Sequence, residues 1–208
     1  WTRGDWQLLP WILWRHDGLS ALGLWKMLDN LRRSLSPVLL VLGFLVALAV
    51  LPLSAALLWT GLMAATFLAT PILRSIPALL RGHEGITMGS RLRSVRSDLD
   101  AGVTRGALDL AFVSHQAAMM VDAIVRTLWR MLVTHKNMLE WTTAATAQKQ
   151  AAGGVNYPRM MVGGYVAPIL ALVIGALRGP SHLALAAVPA ALWLIAPWLA
   201  QRASRHYE

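Results

Sequence analysis

The sequence predicts an all-α integral membrane protein with four transmembrane helices in two hairpins, plus amphipathic interfacial helices. No charged residue lies between Arg33 and Arg74, and Pro52 stands near the middle of that stretch. At about 20 residues per span, this length fits two helices joined by a tight turn. A second pair of apolar segments covers 160–177 and 179–201. No segment alternates apolar and polar residues as a half-buried strand does, so the prediction consists of helices alone.

Composition supports a membrane location. Hydrophobic residues make up 56% of the 208, and mean hydropathy is +0.51, whereas soluble domains are about 45–50% apolar. Ten Trp accompany only three Phe and three Tyr, a bias typical of the membrane–water interface, where the indole ring has one apolar and one hydrated end. The sequence has no cysteine, which excludes disulfides and thiolate metal sites.

Basic residues are distributed unevenly along this chain, whose formal net charge is +9. The two predicted hairpin tips, around Pro52 and around 178–182, contain one basic residue, Arg178. Every other Lys and Arg lies in the N-terminal arm, the central region or the tail. The positive-inside rule therefore predicts that both chain ends and the central loop are cytoplasmic. We interpret the basic charge as a signal for topology and for contact with the lipid bilayer, and expect no nucleic-acid partner.

These patterns divide the chain into five parts. They are an amphipathic interfacial arm (1–34), transmembrane hairpin 1 (35–73), a cytoplasmic or interfacial helical region (74–158), transmembrane hairpin 2 (159–201) and a basic tail (202–208). Ser36 and Pro37 are expected to begin the first span, because Ser is a common N-cap and Pro a common first helical residue. Ser114 and His115 are expected to break the central region, which would give two or three interfacial helices.

The central region contains one polar stripe. Asp122, Arg126 and Arg130 lie four residues apart, with the acid before the bases, which is the favourable order on a helix. Such a stripe commonly faces solvent or lipid headgroups, and docking to another domain is the alternative. His135 and Glu140 are five apart and do not share a helical face, so no zinc site of the H-E-x-x-H type is predicted.

The first seven residues, Trp-Thr-Arg-Gly-Asp-Trp-Gln, resemble the end of the Q-x-x-R-W motif of processive, membrane-bound β-glycosyltransferases of the cellulose synthase type. In that family the R-W pair is followed by x-R-G-x-x-Q and then by an interfacial helix and membrane spans. Trp1 matches the tryptophan of the motif, with Arg3, Gly4 and Gln7 in register. The resemblance implies that the motif's glutamine and arginine precede Trp1, and that this chain supplies the acceptor-side edge of the cleft.

A second resemblance narrows the family. The stretch DAIVRTLWRMLVTHKNMLEWTTAA, within 108–145, is similar to the segment DAIVRTLxRLxxxRRxLLEWxTAA of cyclic β-1,2-glucan synthases. LWKMLDNLRRSL in the arm also resembles that family. His135 and Lys136 stand where two arginines are expected, which reduces the charge but keeps the pattern. The apolar spans match the family only in kind.

This resemblance implies one section of a large bacterial inner-membrane enzyme. A glycosyltransferase domain would precede Trp1, and a phosphorylase-like domain would follow Glu208, with 202–208 as the start of the linker. The family polymerises glucose from UDP-glucose on a protein-attached primer and closes the β-1,2-glucan into a ring. The general base and a divalent metal ion are expected in the glycosyltransferase domain, so no catalytic residue, metal ligand or cofactor site is predicted here.

The predicted acceptor- or substrate-binding residues are Trp1, Arg3, Asp5, Trp6 and Gln7. In related enzymes the tryptophan of the motif stacks on the growing glucan, because a pyranose presents a flat C–H surface to an aromatic face. Arg3 and Asp5 could hydrogen-bond sugar hydroxyls or diphosphate. The alternatives are an interfacial anchor for Trp1 and an ion pair between Arg3 and Asp5 that holds the arm to the catalytic domain.

Two further alternatives apply to larger parts of the chain. Trp6, Trp11 and Trp14 also fit the aromatic belt at the bilayer surface or ordinary packing. For the whole chain, the competing hypothesis is a non-enzymatic integral membrane scaffold or a transporter subunit. An acidic D-x-D motif and Q-x-x-R upstream of Trp1 would distinguish the synthase from both.

Overall fold

The computed structural model describes residues 1–14, 18–80, 88–136 and 156–204, and the regular structure in these ranges is entirely helical. This confirms the all-α prediction. In chain order the elements are α1 (Thr2–Gln7), α2 (Leu9–Trp14), α3 (Ala21–Val50), α4 (Leu53–Leu80), α5 (Met88–Trp129), a π-helical turn (Arg130–Thr134), α6 (Tyr157–Met160), a 3-10 helix (Val162–Tyr165), α7 (Val166–Arg178), α8 (Pro180–Leu194) and α9 (Ala196–Ala203).

α3 joins the interfacial arm and the first span into one helix. Ser20 is its N-cap, and the Ser20 hydroxyl accepts a hydrogen bond from the Gly23 amide at 3.1 Å. The predicted helix start at Ser36 and Pro37 is wrong, because both residues lie inside α3. Pro37 lacks an amide donor and removes one backbone hydrogen bond, which a long helix with other contacts tolerates.

α5 is a single helix of 42 residues, so the predicted break at Ser114 and His115 is also wrong. Tertiary contacts override the weak helix preference of these two residues. The Ser114 hydroxyl donates to the carbonyl oxygen of Gly164 at 2.6 Å. A Cβ atom at Gly164 would lie 3.1 Å from the His115 Cβ, so a glycine lets the two backbones approach.

The two hairpin tips touch each other. α7 and α8 are joined at Gly179, whose φ of +113° is a conformation that favours glycine. The Arg178 guanidinium donates from Nη2 to the Leu51 carbonyl oxygen at 2.9 Å, and the His182 Nε2 atom lies 3.3 Å from the same oxygen. Leu51 ends α3, so a carbonyl left without a helical partner is satisfied by the other hairpin.

The core lies between the hairpins and α5. Phe44 of α3 and Trp193 of α8 are 1% and 2% exposed, and their rings meet edge to face with centroids 5.5 Å apart. Such an aromatic pair is worth about 0.5–1.5 kcal/mol beyond its buried area. Val113 of α5 and Ala171 of α7 belong to the same buried cluster.

α5 crosses both hairpins through close contacts one helical turn apart. A Cβ at Gly106 would lie 2.7 Å from the Phe67 carbonyl oxygen of α4. The Trp193 indole N–H donates to the Leu110 carbonyl at 3.0 Å. At 1.5 Å per residue, Phe67 is about 21 Å along its helix from the start of α4, and Trp193 is about 21 Å from Gly179. α5 therefore meets both hairpins at one level, away from their tips.

The described helices include three that are long and apolar enough to cross a membrane: Ala21–Val50, Leu92–Thr134 and Pro180–Ala203. The predicted count of four spans is not confirmed. The predicted third span is divided into α6, the 3-10 helix and α7, because Gly163 and Gly164 do not sustain a regular helix under close contact. Val162–Arg178 and Leu53–Ala69 count as shorter apolar helices.

Part of the sequence-based prediction falls outside the described ranges. This applies to Glu140, the final third of the family-like segment (137–145) and the last residues of the tail (205–208).

Candidate functional site

The motif residues form α1, which packs on α3 and α5. The Trp6 indole N–H donates to the Ser34 hydroxyl at 2.9 Å, and the Asn30 amide donates from Nδ2 to the Asp5 Oδ1 atom at 3.3 Å. On the other side, the buried Thr2 hydroxyl lies 3.2 Å from the Met120 sulfur of α5. Three side-chain contacts thus attach a helix of six residues to two long helices.

The five predicted binding residues have different surroundings. Trp1 is 73% exposed within this segment, and its carbonyl accepts the Asp5 amide at 3.1 Å. Asp5 and Trp6 already have partners on α3, whereas Arg3 is exposed and Gln7 half-buried, and both make contacts of their own. The substrate-binding role of all five stays a prediction, and the surroundings favour Trp1 as the side chain that faces outward.

The sequence interpretation missed the residues that hold α1. Asn30 and Ser34 are one helical turn apart on α3, and Ser34 is fully buried at 0% exposure. A polar pair at this spacing, just before an uncharged stretch, was a signal for a helix docked on that face. Met120 carried no such signal, because methionines are common in apolar cores.

Exposed tryptophans lie on the two helices that follow α1. Trp11, Trp14 and Trp25 are 49%, 73% and 67% exposed. They lie on α2 and the first turns of α3, and α3 also carries Lys26 and the arginines Arg32 and Arg33, which both pair with Asp29. Aromatic rings beside basic side chains are typical of a helix at the headgroup level.

The central polar stripe contains an ion pair. The Arg126 Nε atom lies 2.7 Å from the Asp122 Oδ1 atom, and the two side chains are 57% and 49% exposed. An exposed pair four residues apart stabilises a helix by only about 0.3–0.5 kcal/mol. Arg130 follows in the π-helical turn and has a contact of its own. The pair therefore adds little to the stability of α5.

An apolar groove of about 530 Å³ lies beside this ion pair, between α3, α5 and α7. Its walls are mostly aliphatic, among them Val38, Val41 and Leu170. The polar lining residues already have partners: Ser114 donates to the Gly164 carbonyl, and Asp122 and Arg126 pair with each other. Sugar hydroxyls need polar partners, and such mostly apolar walls offer few of them. The groove is therefore unsuited to bind glucan. Among the described residues, no group of three His, Asp or Glu could hold a metal ion.

The helices, exposed apolar surfaces and candidate spans define this chain as part of a helical membrane protein. No protein-family model matches it. The chain is 40% identical over 207 residues to cyclic beta-(1,2)-glucan synthase NdvB of Rhizobium meliloti (strain 1021). The match covers 94% of this chain and 7% of that protein. The resemblance to cyclic β-1,2-glucan synthases is thereby confirmed, and the chain is homologous to one short section of such a synthase.

Proposed function

We propose that this chain is the membrane-embedded section of a cyclic β-1,2-glucan synthase that polymerises glucose from UDP-glucose. The observation that carries this proposal is the 40% identity to NdvB along nearly the whole chain. The section would anchor the enzyme in the bacterial inner membrane and would not be catalytic alone. Because it spans only 7% of that relative, the donor site and a divalent metal ion are assigned to other parts of the parent protein.

Within this section, α1 would form the acceptor-side edge of the cleft. Trp1 would stack on the growing glucan with Arg3 and Gln7 beside it, and Asp5 and Trp6, bound to α3, would hold this edge in place. Support comes from the contacts of α1. Thr2 contacts α5, and Asp5 and Trp6 contact α3, whereas the Trp1 indole is exposed. An indole on a fixed helix is suited to stacking, because little conformational freedom is lost when the sugar binds.

For topology, we propose four spans, with α5 lying in the membrane interface across both hairpins, although Leu92–Thr134 is apolar enough to span. The level at which α5 crosses the two hairpins supports this arrangement. α5 meets the hairpins about 21 Å from their tips, and a hydrocarbon core is about 30 Å thick. The crossing would therefore lie about 9 Å inside the cytoplasmic boundary of the hydrocarbon core. This value falls within the depth of about 5–10 Å at which amphipathic helices lie in the interface. Both chain ends and α5 would then be cytoplasmic.

The partners would be the two flanking domains of the same chain. A glycosyltransferase domain would precede Trp1 and contact α1, and a phosphorylase-like domain would follow Glu208. We assign domain docking to Asp122, Arg126 and Arg130, since the exposed ion pair at this position adds little to the stability of α5.

Glucose incorporation by membranes carrying the intact parent protein tests the enzymatic proposal. Native membranes supplied with UDP-glucose should make a neutral, ring-closed β-1,2-glucan, and Trp1→Ala should make much less while inserting normally. Equal synthesis by Trp1→Ala would leave Trp1 as an interfacial anchor. If neither made glucan, the competing hypothesis of a membrane scaffold or transporter subunit would be favoured.

Cysteine labelling tests the topology, because the sequence has no native cysteine. Single variants Arg96→Cys and Lys136→Cys flank most of α5, and Ser181→Cys lies at a hairpin tip. If α5 lies in the cytoplasmic interface, an impermeant maleimide added outside intact spheroplasts labels only Ser181→Cys. Labelling of either Arg96→Cys or Lys136→Cys from outside would make α5 a transmembrane span.

A further inference from the structure

Ser34 occupies a special position beneath the motif helix. It is fully buried, its hydroxyl accepts the Trp6 indole N–H at 2.9 Å, and it donates to the Leu31 carbonyl at 2.8 Å. The hydroxyl is thus used in both roles and connects the motif helix to the backbone of α3. Asn30 adds the second side-chain bond one turn earlier, to Asp5.

α1 depends on these contacts for its orientation. A helix of six residues is far shorter than the 12–15 residues that a marginally stable isolated helix needs. Its direction is therefore set by docking and not by its own backbone. Trp1 precedes the first turn and is tied to it by the hydrogen bond from the Asp5 amide to the Trp1 carbonyl. Any rotation of α1 about its docking contacts moves the Trp1 indole.

We infer that Ser34 is a positioning residue, which acts through Trp6 to fix the Trp1 indole at the acceptor side of the cleft. This inference rests on the proposed role of Trp1. Ser34 itself contacts no substrate, because it lies under α1 with no exposed surface. The first membrane span thus sets the geometry of the acceptor site, since Ser34 belongs to the same continuous helix as residues 38–50.

The test uses the intact synthase in membranes, with glucose incorporation measured against UDP-glucose concentration and normalised to the amount of inserted enzyme. Ser34→Ala should lower kcat about fivefold, the factor that one hydrogen bond of ordinary strength represents. The KM for UDP-glucose should stay unchanged, because the donor site does not include α1. A defect in folding alone would reduce the amount of inserted enzyme and leave kcat per enzyme unaltered.

Trp6→Phe provides an independent variant, since it removes the indole donor and keeps an aromatic ring. It should lower kcat by a similar factor, and the double variant Trp6→Phe/Ser34→Ala should lose no more than either single variant. The matched control is Ser36→Ala, because the Ser36 hydroxyl donates only within its own helix, to the Arg32 carbonyl at 2.9 Å. Its kcat should equal the native value.

Two results would overturn the inference: an unchanged kcat in Ser34→Ala, or losses that multiply in the double variant. Trp1→Ala, measured in the same series, separates this failure from that of the proposed function. If Trp1→Ala abolishes synthesis and Ser34→Ala does not reduce it, Trp1 keeps its role and only the positioning by Ser34 is wrong. If Trp1→Ala is fully active, the acceptor role of Trp1 fails, and the inference fails with it.

Discussion

The two hairpins accept the same crossing helix in different ways. On hairpin 1 the glycine belongs to α5, where Gly106 lies against the Phe67 carbonyl, and α3 and α4 continue as helices of 30 and 28 residues. On hairpin 2 the glycine belongs to the hairpin, where Gly164 lies against His115. There the chain is interrupted at the level of the crossing, by the 3-10 helix and by a break at Ile195.

This difference has a simple physical reason. Small residues let two helices approach closely, and the smallest of them, glycine, is poorly suited to sustain a regular helix. When the long helix α5 provides the glycine, its other turns keep α5 helical. On hairpin 2 the contact falls at Gly163 and Gly164, and there the chain forms a 3-10 helix. Hairpin 1 is therefore the regular half of the molecule, and hairpin 2 is the interrupted half.

The largest effect on stability is expected at Trp193 of hairpin 2, which contacts both hairpin 1 and α5. Trp193 is 2% exposed, meets the Phe44 ring and donates to Leu110. Trp193→Ala should lower the free energy of unfolding by about 3–5 kcal/mol, because it leaves a large cavity. Thermal loss of helical circular dichroism in detergent measures this change. Trp25→Ala, at a 67% exposed position, is the control, and equal melting of the two variants would contradict the role of Trp193.

The glycines should give effects of opposite sign. Gly106→Ala would force a methyl group to within 2.7 Å of the Phe67 carbonyl, so overpacking of about 1–3 kcal/mol outweighs the better helix preference of alanine. Gly61→Ala, with no atom within 4 Å of its Cβ, should gain up to about 1 kcal/mol.

The same melting assay measures both glycine variants, and Gly164→Ala should fall between them, because its Cβ would lie 3.1 Å from the His115 Cβ, farther than the 2.7 Å at Gly106. If Gly106→Ala stabilised the protein as much as Gly61→Ala, the close crossing of α5 over hairpin 1 would be wrong.

A smaller effect is expected at the hairpin tips. Arg178→Met removes the donor to the Leu51 carbonyl and should cost about 1 kcal/mol, since His182 still faces that oxygen. Arg178→Met/His182→Leu should cost more than the sum of its single variants, because only then is the carbonyl left without a partner. Arg96→Met, at an 85% exposed side chain, is the control for loss of charge. Additive losses would mean that the two side chains act independently.

The smallest change in stability is expected at the polar stripe. Asp122→Asn breaks the ion pair with Arg126 and should cost less than about 0.5 kcal/mol, with the difference disappearing at high salt. In the intact synthase the same variant should reduce glucan synthesis, if the stripe docks a neighbouring domain. Unchanged synthesis alongside unchanged stability would remove the docking role.

Local and regional properties followed from the sequence alone. Uncharged stretches of sufficient length, a proline between them and one-sided basic charge predicted helices, hairpins and a membrane location. The motif-like residues 1–7 and the stretch 122–145 predicted a resemblance to cyclic β-1,2-glucan synthases, which the 40% identity to NdvB confirmed. These properties depend on residue type and spacing, which a single sequence contains.

Tertiary structure decided where helices continue, break and meet. α3 runs through Pro37 and α5 runs through Ser114, because packing contributes more than the local preference against helix at one or two residues. The bond between Trp6 and Ser34 joins residues 28 apart, and the bond between Trp193 and Leu110 joins residues 83 apart. No local pattern encodes such pairs, since they form only when the whole arrangement of helices brings them together.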